Sequence, residues 1–246
     1  MQLRFGHRVF APTLIPTVVF IVVLGALLSL GNWQMQRAGE KQALVEEKET
    51  RQKAAPLDLN RAIVDAQLDR FRPARVAGRY ATTQQWLLDN RLFQGQAGYH
   101  VFSLLQLDNG GQLLVNRGWV AVGETREFLP ELPLPQGPVK LSGHLDRPES
   151  VGLVLGEPPL DSIANKVLLQ SLDIAALAKA RNLELQPLSL VLDEAQSGSL
   201  QYDWMPVETI SPEKHVGYAV QWFALAVALV IIYFGVNTRR VNNEET

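Results

Sequence analysis

Histidine has the widest chemical reach of any residue type in this chain, and there are four: His7, His100, His144 and His215. No two of them sit at metal-ligand spacing. Cysteine is absent. Its absence excludes a disulfide framework, CxxC redox chemistry, covalent c-type haem attachment and thiolate metal sites. The sequence contains no G-x-S-x-G elbow, no H-E-x-x-H, no Walker loop and no G-x-G-x-x-G opening a helix. Glu157, Asp193 and Glu194 supply carboxylates without a partnered base and read as exposed loop charges. These observations point away from an enzyme. His100 lies in an alternating stretch and His144 near a strand end, and both read as exposed or hydrogen-bonded strand residues.

His215 differs by position. It stands at the mouth of an apolar run from Val216 to Phe234, where the surroundings are half dry. An imidazole there can bind a metal through one nitrogen while the other is held by an acceptor. On a helix, Tyr218, Ala219 and Trp222 follow it at i+3, i+4 and i+7 and share its face. Two flat aromatics and a small residue beneath an imidazole suit a planar apolar ligand such as haem. The competing reading is an interfacial aromatic belt with no ligand, and sequence physics leaves both open. Gln221, polar within the apolar run, is expected to face protein or ligand rather than lipid. Arg37, just beyond another apolar run, is a candidate partner for a haem propionate or a lipid phosphate.

Two apolar stretches must position these residues. From Val9 to Leu30 no residue is charged, enough helix to cross a hydrocarbon core of about 30 Å. Pro12 fits its opening turn, and Pro16 either kinks the helix or starts its regular part. A cleaved signal peptide is the rival reading, with Ser29 and Gly31 near a cleavage site. The run is long for that, and the sequence after it continues as helix. The second stretch is the one that begins after His215. Arg4 and Arg8 flank the outer end of the first, and Arg239 and Arg240 follow the second. The positive-inside rule then places both termini in the cytoplasm. Net charge is −2 over 246 residues, without the basic excess that nucleic-acid binding needs.

The expected fold is a membrane protein with two transmembrane helices flanking a β-rich α+β extramembrane domain. Its segments are a cytoplasmic N-terminus (1–8), a first transmembrane helix (9–30), a juxtamembrane helical stalk (31–56), a periplasmic β-rich domain (57–205), a linker (206–215), a second transmembrane helix (216–236) and a cytoplasmic tail (237–246). The location is the inner membrane of a Gram-negative cell. Within the domain, 60–69 reads as a short helix. Strands are expected over 75–80, 85–88, 99–107, 112–116, 119–122, 139–145, 166–169, 188–192 and 200–204. Asp89-Asn90-Arg91 reads as a turn, Asp108-Asn109-Gly110-Gly111 as a hairpin and Gly118 as a bulge. Ser171 to Asn182 reads as a helix capped by Ser171 or Asp173, with Leu172, Ala175, Ala176 and Lys179 on one face.

Several blocks, in order, resemble the surfeit locus protein one family of cytochrome c oxidase assembly factors. They are Gly31-Asn32-Trp33-Gln34-Met35-Gln36-Arg37, Arg75-Val76-Ala77-Gly78, Asp89-Asn90-Arg91, Gly98-Tyr99-His100-Val101, Asn116-Arg117-Gly118-Trp119-Val120 and Lys214-His215-Val216-Gly217-Tyr218-Ala219-Val220-Gln221-Trp222-Phe223. The resemblance covers nearly the whole chain. It implies help in maturing oxidase subunit I, with haem a as the bound cofactor, His215 as its iron ligand, and membrane lipid and haem A synthase as further contacts. Tyr218, Trp222 and Arg37 accompany His215 as candidate cofactor-binding residues. A cofactor-free scaffold for subunit I is the alternative. Asn116-Arg117-Gly118-Trp119 reads as a tight turn with Trp119 anchoring the core.

Overall fold

The computed structural model describes residues 3–5, 8–123, 129–148, 158–201 and 211–240. The elements in chain order are β1 (Leu3–Phe5), β2 (Arg8–Phe10), α1 (Leu14–Gln52), β3 (Leu57–Asp58), β4 (Pro73–Phe93), β5 (Gln96–Leu107), β6 (Gln112–Ala121), β7 (Val139–Asp146), β8 (Lys166–Leu169), α2 (Ile174–Arg181), β9 (Ser189–Leu192), α3 (Pro212–Asn237) and β10 (Thr238–Arg240). Two units result, one from 1–45 with 209–246 and the other from 46–208. Trp204 and the expected linker residues 206–210 lie outside the described residues, as do His7, the loop carboxylate Glu157 and the tail from 241.

In the first unit, α1 and α3 are long and apolar enough to cross a membrane. Val9 and Phe10, expected to open the first span, form β2 instead. The helix begins at Leu14, so Pro16 falls in its first turn, where a missing N–H costs no helix hydrogen bond. From Leu14 to Gln36 the helix carries no charge, a length of about 34 Å at 1.5 Å per residue. α3 starts at Pro212, earlier than the apolar pattern alone suggests, because proline also favours an opening turn. β1, β2 and β10 pair antiparallel, and Ala11 N donates to Asn237 O at 2.9 Å.

The second unit is β-rich. β4 pairs β5, β5 pairs β6, β6 pairs β9, β9 pairs β7 and β7 returns to β4, so the pairings close into a ring. β3 and β8 add parallel to the free edges of β4. One apolar cluster gathers Val76, Leu105, Leu113, Val115, Leu141, Leu190 and their neighbours. Another lies between α2 and Trp86, Phe102 and Leu104. Burial on both faces explains why the middle of β5 is apolar almost without alternation.

Several sequence expectations need correction. Asp89-Asn90-Arg91 is no turn. It is a bulge within one long strand, because Asn90 adopts a left-handed φ of 59° and the pairing with β5 resumes at Arg91. The turn comes later, at Gln94-Gly95, both with positive φ, between paired Phe93 and Gln96. Residues 60–69 form turns held by Asp65, whose carboxylate accepts from the amides of Gln67 and Leu68 at 2.8 Å. α2 begins at Ile174 with Asp173 as its cap, accepting from Ala176 N, and Ser171 lies outside it. Its buried face is Ile174 and Leu177, whereas Ala175, Ala176 and Lys179 are exposed. The Asp108–Gly111 hairpin and the Gly118 bulge (φ 110°) form as the sequence suggests.

The Asn116–Trp119 block anchors the core. Arg117 is buried at 2 % exposure. Its Nε donates to Gly198 O at 2.6 Å and its Nη2 to Pro133 O at 2.8 Å. Trp119 Nε1 donates to Arg91 O at 3.1 Å. Gly98 lies under that indole, and a Cβ built on it would strike the Trp119 ring and the Val120 carbonyl. Replacing Gly98 by Val should lower stability by about 3 kcal/mol and Tm by roughly 10 °C in thermal unfolding of the purified protein.

His100 and His144 are not the exposed residues that the strand pattern permits. Burial, with Arg91 adding to it, lowers the His100 pKa to about 4. Burial, with Lys48 adding to it, lowers that of His144 to about 3. Both folded values lie below the unfolded value of about 6.5. Their contribution to stability is therefore complete above pH 6.5 and is lost as pH falls toward 4 and 3. Urea unfolding between pH 6 and 5 should show a loss of about 1.4 kcal/mol per pH unit for each histidine. His144→Gln should halve that slope.

Candidate functional site

The spacing of the inward residues on α1 and α3 follows from their sequence. On α1 as far as Lys41 the half-buried or buried positions are Thr17, Phe20, Leu24, Leu27, Gly31, Gln34, Ala38 and Lys41, an alternation of three and four that marks one seam of a helix. On α3 they include His215, Ala219, Trp222, Ala226 and Tyr233. The two seams meet antiparallel. Thr17 Oγ1 and Tyr233 OH are 2.7 Å apart, and Phe20 stacks on Tyr233 at 4.0 Å between ring centroids. Farther along, Phe223 fills the space that Gly31 leaves, since a Cβ there would come within 2.5 Å of the Phe223 ring.

His215 sits in this seam at 8 % exposure. Its Nδ1 lies 2.7 Å from Gln34 Oε1. An amide oxygen only accepts, so Nδ1 carries a hydrogen, and in the neutral ring Nε2 then keeps its lone pair. That is the state in which imidazole binds a metal. Gln34 was not among the candidates from sequence. Its signal was its place three residues after Gly31 and four before Ala38 within an uncharged helix.

The structure does not bring the four candidates together. His215 and Trp222 belong to the seam, while Tyr218 on the same helix is 45 % exposed. An α3 seam continuing at i+4 and i+7 leaves i+3 at its edge. Arg37 also points away, its Nη1 bound to Glu40 Oε2 at 2.8 Å and its guanidinium 5.8 Å from the Trp33 ring. Gln221, expected to face protein or ligand, is exposed on α3, because the 219–222 seam turns it outward.

Among the described residues no group of three or more His, Asp or Glu converges to hold a bare metal ion. A lone imidazole with Nε2 bare instead suits an iron that brings its equatorial ligands in a macrocycle, as haem does. On donor chemistry the residues present fit that group.

The profile of the SURF1 family matches residues 21–227, from within α1 to within α3. A SURF1-like protein of Dictyostelium discoideum is 27 % identical over 256 residues, covering 88 % of this chain and 94 % of that protein. A SURF1-like protein of Rickettsia bellii is 25 % identical, covering 88 % and 86 %. The cytochrome oxidase assembly protein Shy1 of Saccharomyces cerevisiae is 26 % identical over 128 residues, 47 % of this chain and 33 % of that protein. A match that runs from within one apolar helix through the strand-rich unit into the other places this chain in the SURF1 family.

Proposed function

We propose that this chain is an assembly factor for cytochrome c oxidase that holds haem a at His215 and presents it to subunit I. The observation that carries the reading is the 2.7 Å contact between His215 Nδ1 and Gln34, which leaves Nε2 as a ligand atom. Haem a, when held, brings an iron with an axial position for a neutral imidazole. The chain's part is to bind, orient and release, and no turnover chemistry is asked of it. Haem A synthase is the natural donor of such a cargo. The named role of Shy1 in oxidase assembly supports the choice of recipient.

On this reading α1 and α3 span the membrane, with the unit between them in the periplasm and lipid around the helices. Two features support both termini lying on one side. α1 and α3 run antiparallel, and β1, β2 and β10 pair beyond their ends. Arg4, Arg8, Arg239 and Arg240 fall in those strands, which favours the cytoplasmic side. Trp222 would support the macrocycle beside His215 and Tyr218 would flank it. Arg37 would reach a propionate only by releasing Glu40.

A cofactor-free scaffold for subunit I is favoured by a different observation. A histidine–glutamine bond in a small-residue seam is also how apolar helices hold together in lipid.

Co-expression with haem A biosynthesis, purification in detergent and pyridine-haem analysis separate the two. Stoichiometric haem is expected in the parent protein and at least a tenfold loss in His215→Ala. Arg37→Ala should lower occupancy by a few fold, and unchanged occupancy removes the propionate contact. A parent protein that carries a subunit I intermediate but no haem establishes the scaffold reading.

A further inference from the structure

The bond that leaves Nε2 bare is tertiary. Gln34 and His215 are 181 residues apart, so nothing local to either helix produces it. The rotation of α1 about its seam does. Gly31 on one side admits the Phe223 ring, and Ala38 on the other is 5 % exposed, so Gln34 is aimed across the interface. A free neutral imidazole in water prefers its hydrogen on Nε2, the wrong atom for binding iron through Nε2. Something in the fold must reverse that preference, and Gln34 Oε1 is the acceptor within reach of Nδ1.

We infer that Gln34 is a positioning residue: it fixes the tautomer and rotamer of His215 so that Nε2 is presented as the axial ligand. The inference rests on the proposed haem-holding role, but its first consequence exists before any haem is bound. The choice of an amide has a consequence of its own. A carboxylate at this position would draw the Nδ1 hydrogen and make the imidazole a stronger donor, holding iron more firmly. A neutral amide orients the ring while leaving the ligand bond weak enough to exchange. That combination suits a protein that must give its ligand away.

The test uses the full-length protein in detergent with ¹⁵N-histidine labelling, His215 being assigned by comparison with His215→Ala. The expected spectrum of the haem-free protein shows the hydrogen of His215 on Nδ1. A hydrogen on Nε2 overturns the inference without recourse to any variant. It would mean that the amide donates to a bare Nδ1 and no lone pair faces iron.

Gln34→Leu should move the hydrogen to Nε2 and speed haem loss to apomyoglobin by about 10- to 100-fold, the usual effect of removing such a partner. Gln34→Glu should keep the hydrogen on Nδ1 and slow that loss several-fold. Its Fe–His stretching frequency should also rise, which a packing role alone would not cause. Gln34→Leu with an unchanged tautomer and an unchanged rate overturns the inference. If the parent protein takes up no haem, the proposed function fails, and the nitrogen spectra alone then decide the role of Gln34.

Discussion

An imidazole and a primary amide inside an apolar seam have little water to bond to. Each left unpaired would cost about 1–3 kcal/mol, so the contact between His215 and Gln34 constrains everything around it. It fixes the rotation of both helices. A slip of one residue along α1 turns the helix by about 100° and carries Gln34 out of the interface. The same register puts Thr17 against Tyr233 and Gly31 under Phe223. Small residues at Ala219 and Ala226, both buried on α3, let the seam close. Polar pairing and shape complementarity therefore specify one arrangement of two helices whose facing stretches are otherwise largely apolar.

The strand-rich unit meets the same problem with a charge. Arg117 is buried, and its donors go to the carbonyls of Gly198, Leu132 and Pro133 and to Gln85 Oε1. A guanidinium spreads its charge over a planar fork and can be satisfied by several dipoles at once. The result ties the 129–138 segment and the 196–198 turn to the ring of strands. Burial also keeps His100 and His144 uncharged at neutral pH. These two histidines thus act as packing and hydrogen-bonding parts, their pKa values held well below 7 by burial.

What could be read from sequence follows the range of the physics involved. The apolar helices, the Asp108–Gly111 hairpin, the Gly118 bulge and the Asp173 cap depend on residues close in the chain, and each was legible. Asp89-Asn90-Arg91 misled because an asparagine in a left-handed conformation serves a bulge as well as a turn. Only pairing with β5, a tertiary fact, decides between them. The face of α2 was misassigned because alanine is apolar enough for a core and small enough for a surface. For the candidate site, the position of His215 at a helix mouth was visible, as was the polarity of Gln34. Their meeting was not, since it depends on how two helices rotate against each other. Tyr218 was grouped with His215 by the i+3 rule, which identifies neighbours on a helix but not which side the partner helix covers.

The ligand chemistry separates holding from catalysis. Cytochromes P450 push electron density onto iron through a thiolate, and a carboxylate behind a ligating histidine raises its basicity in a similar direction. The residue behind His215 is a neutral amide. On the proposed reading His215 would hold the iron and Gln34 would orient the imidazole. A shared fold would not establish such a role. The imidazole that an amide orients in a two-helix seam is the local feature that supports the proposal.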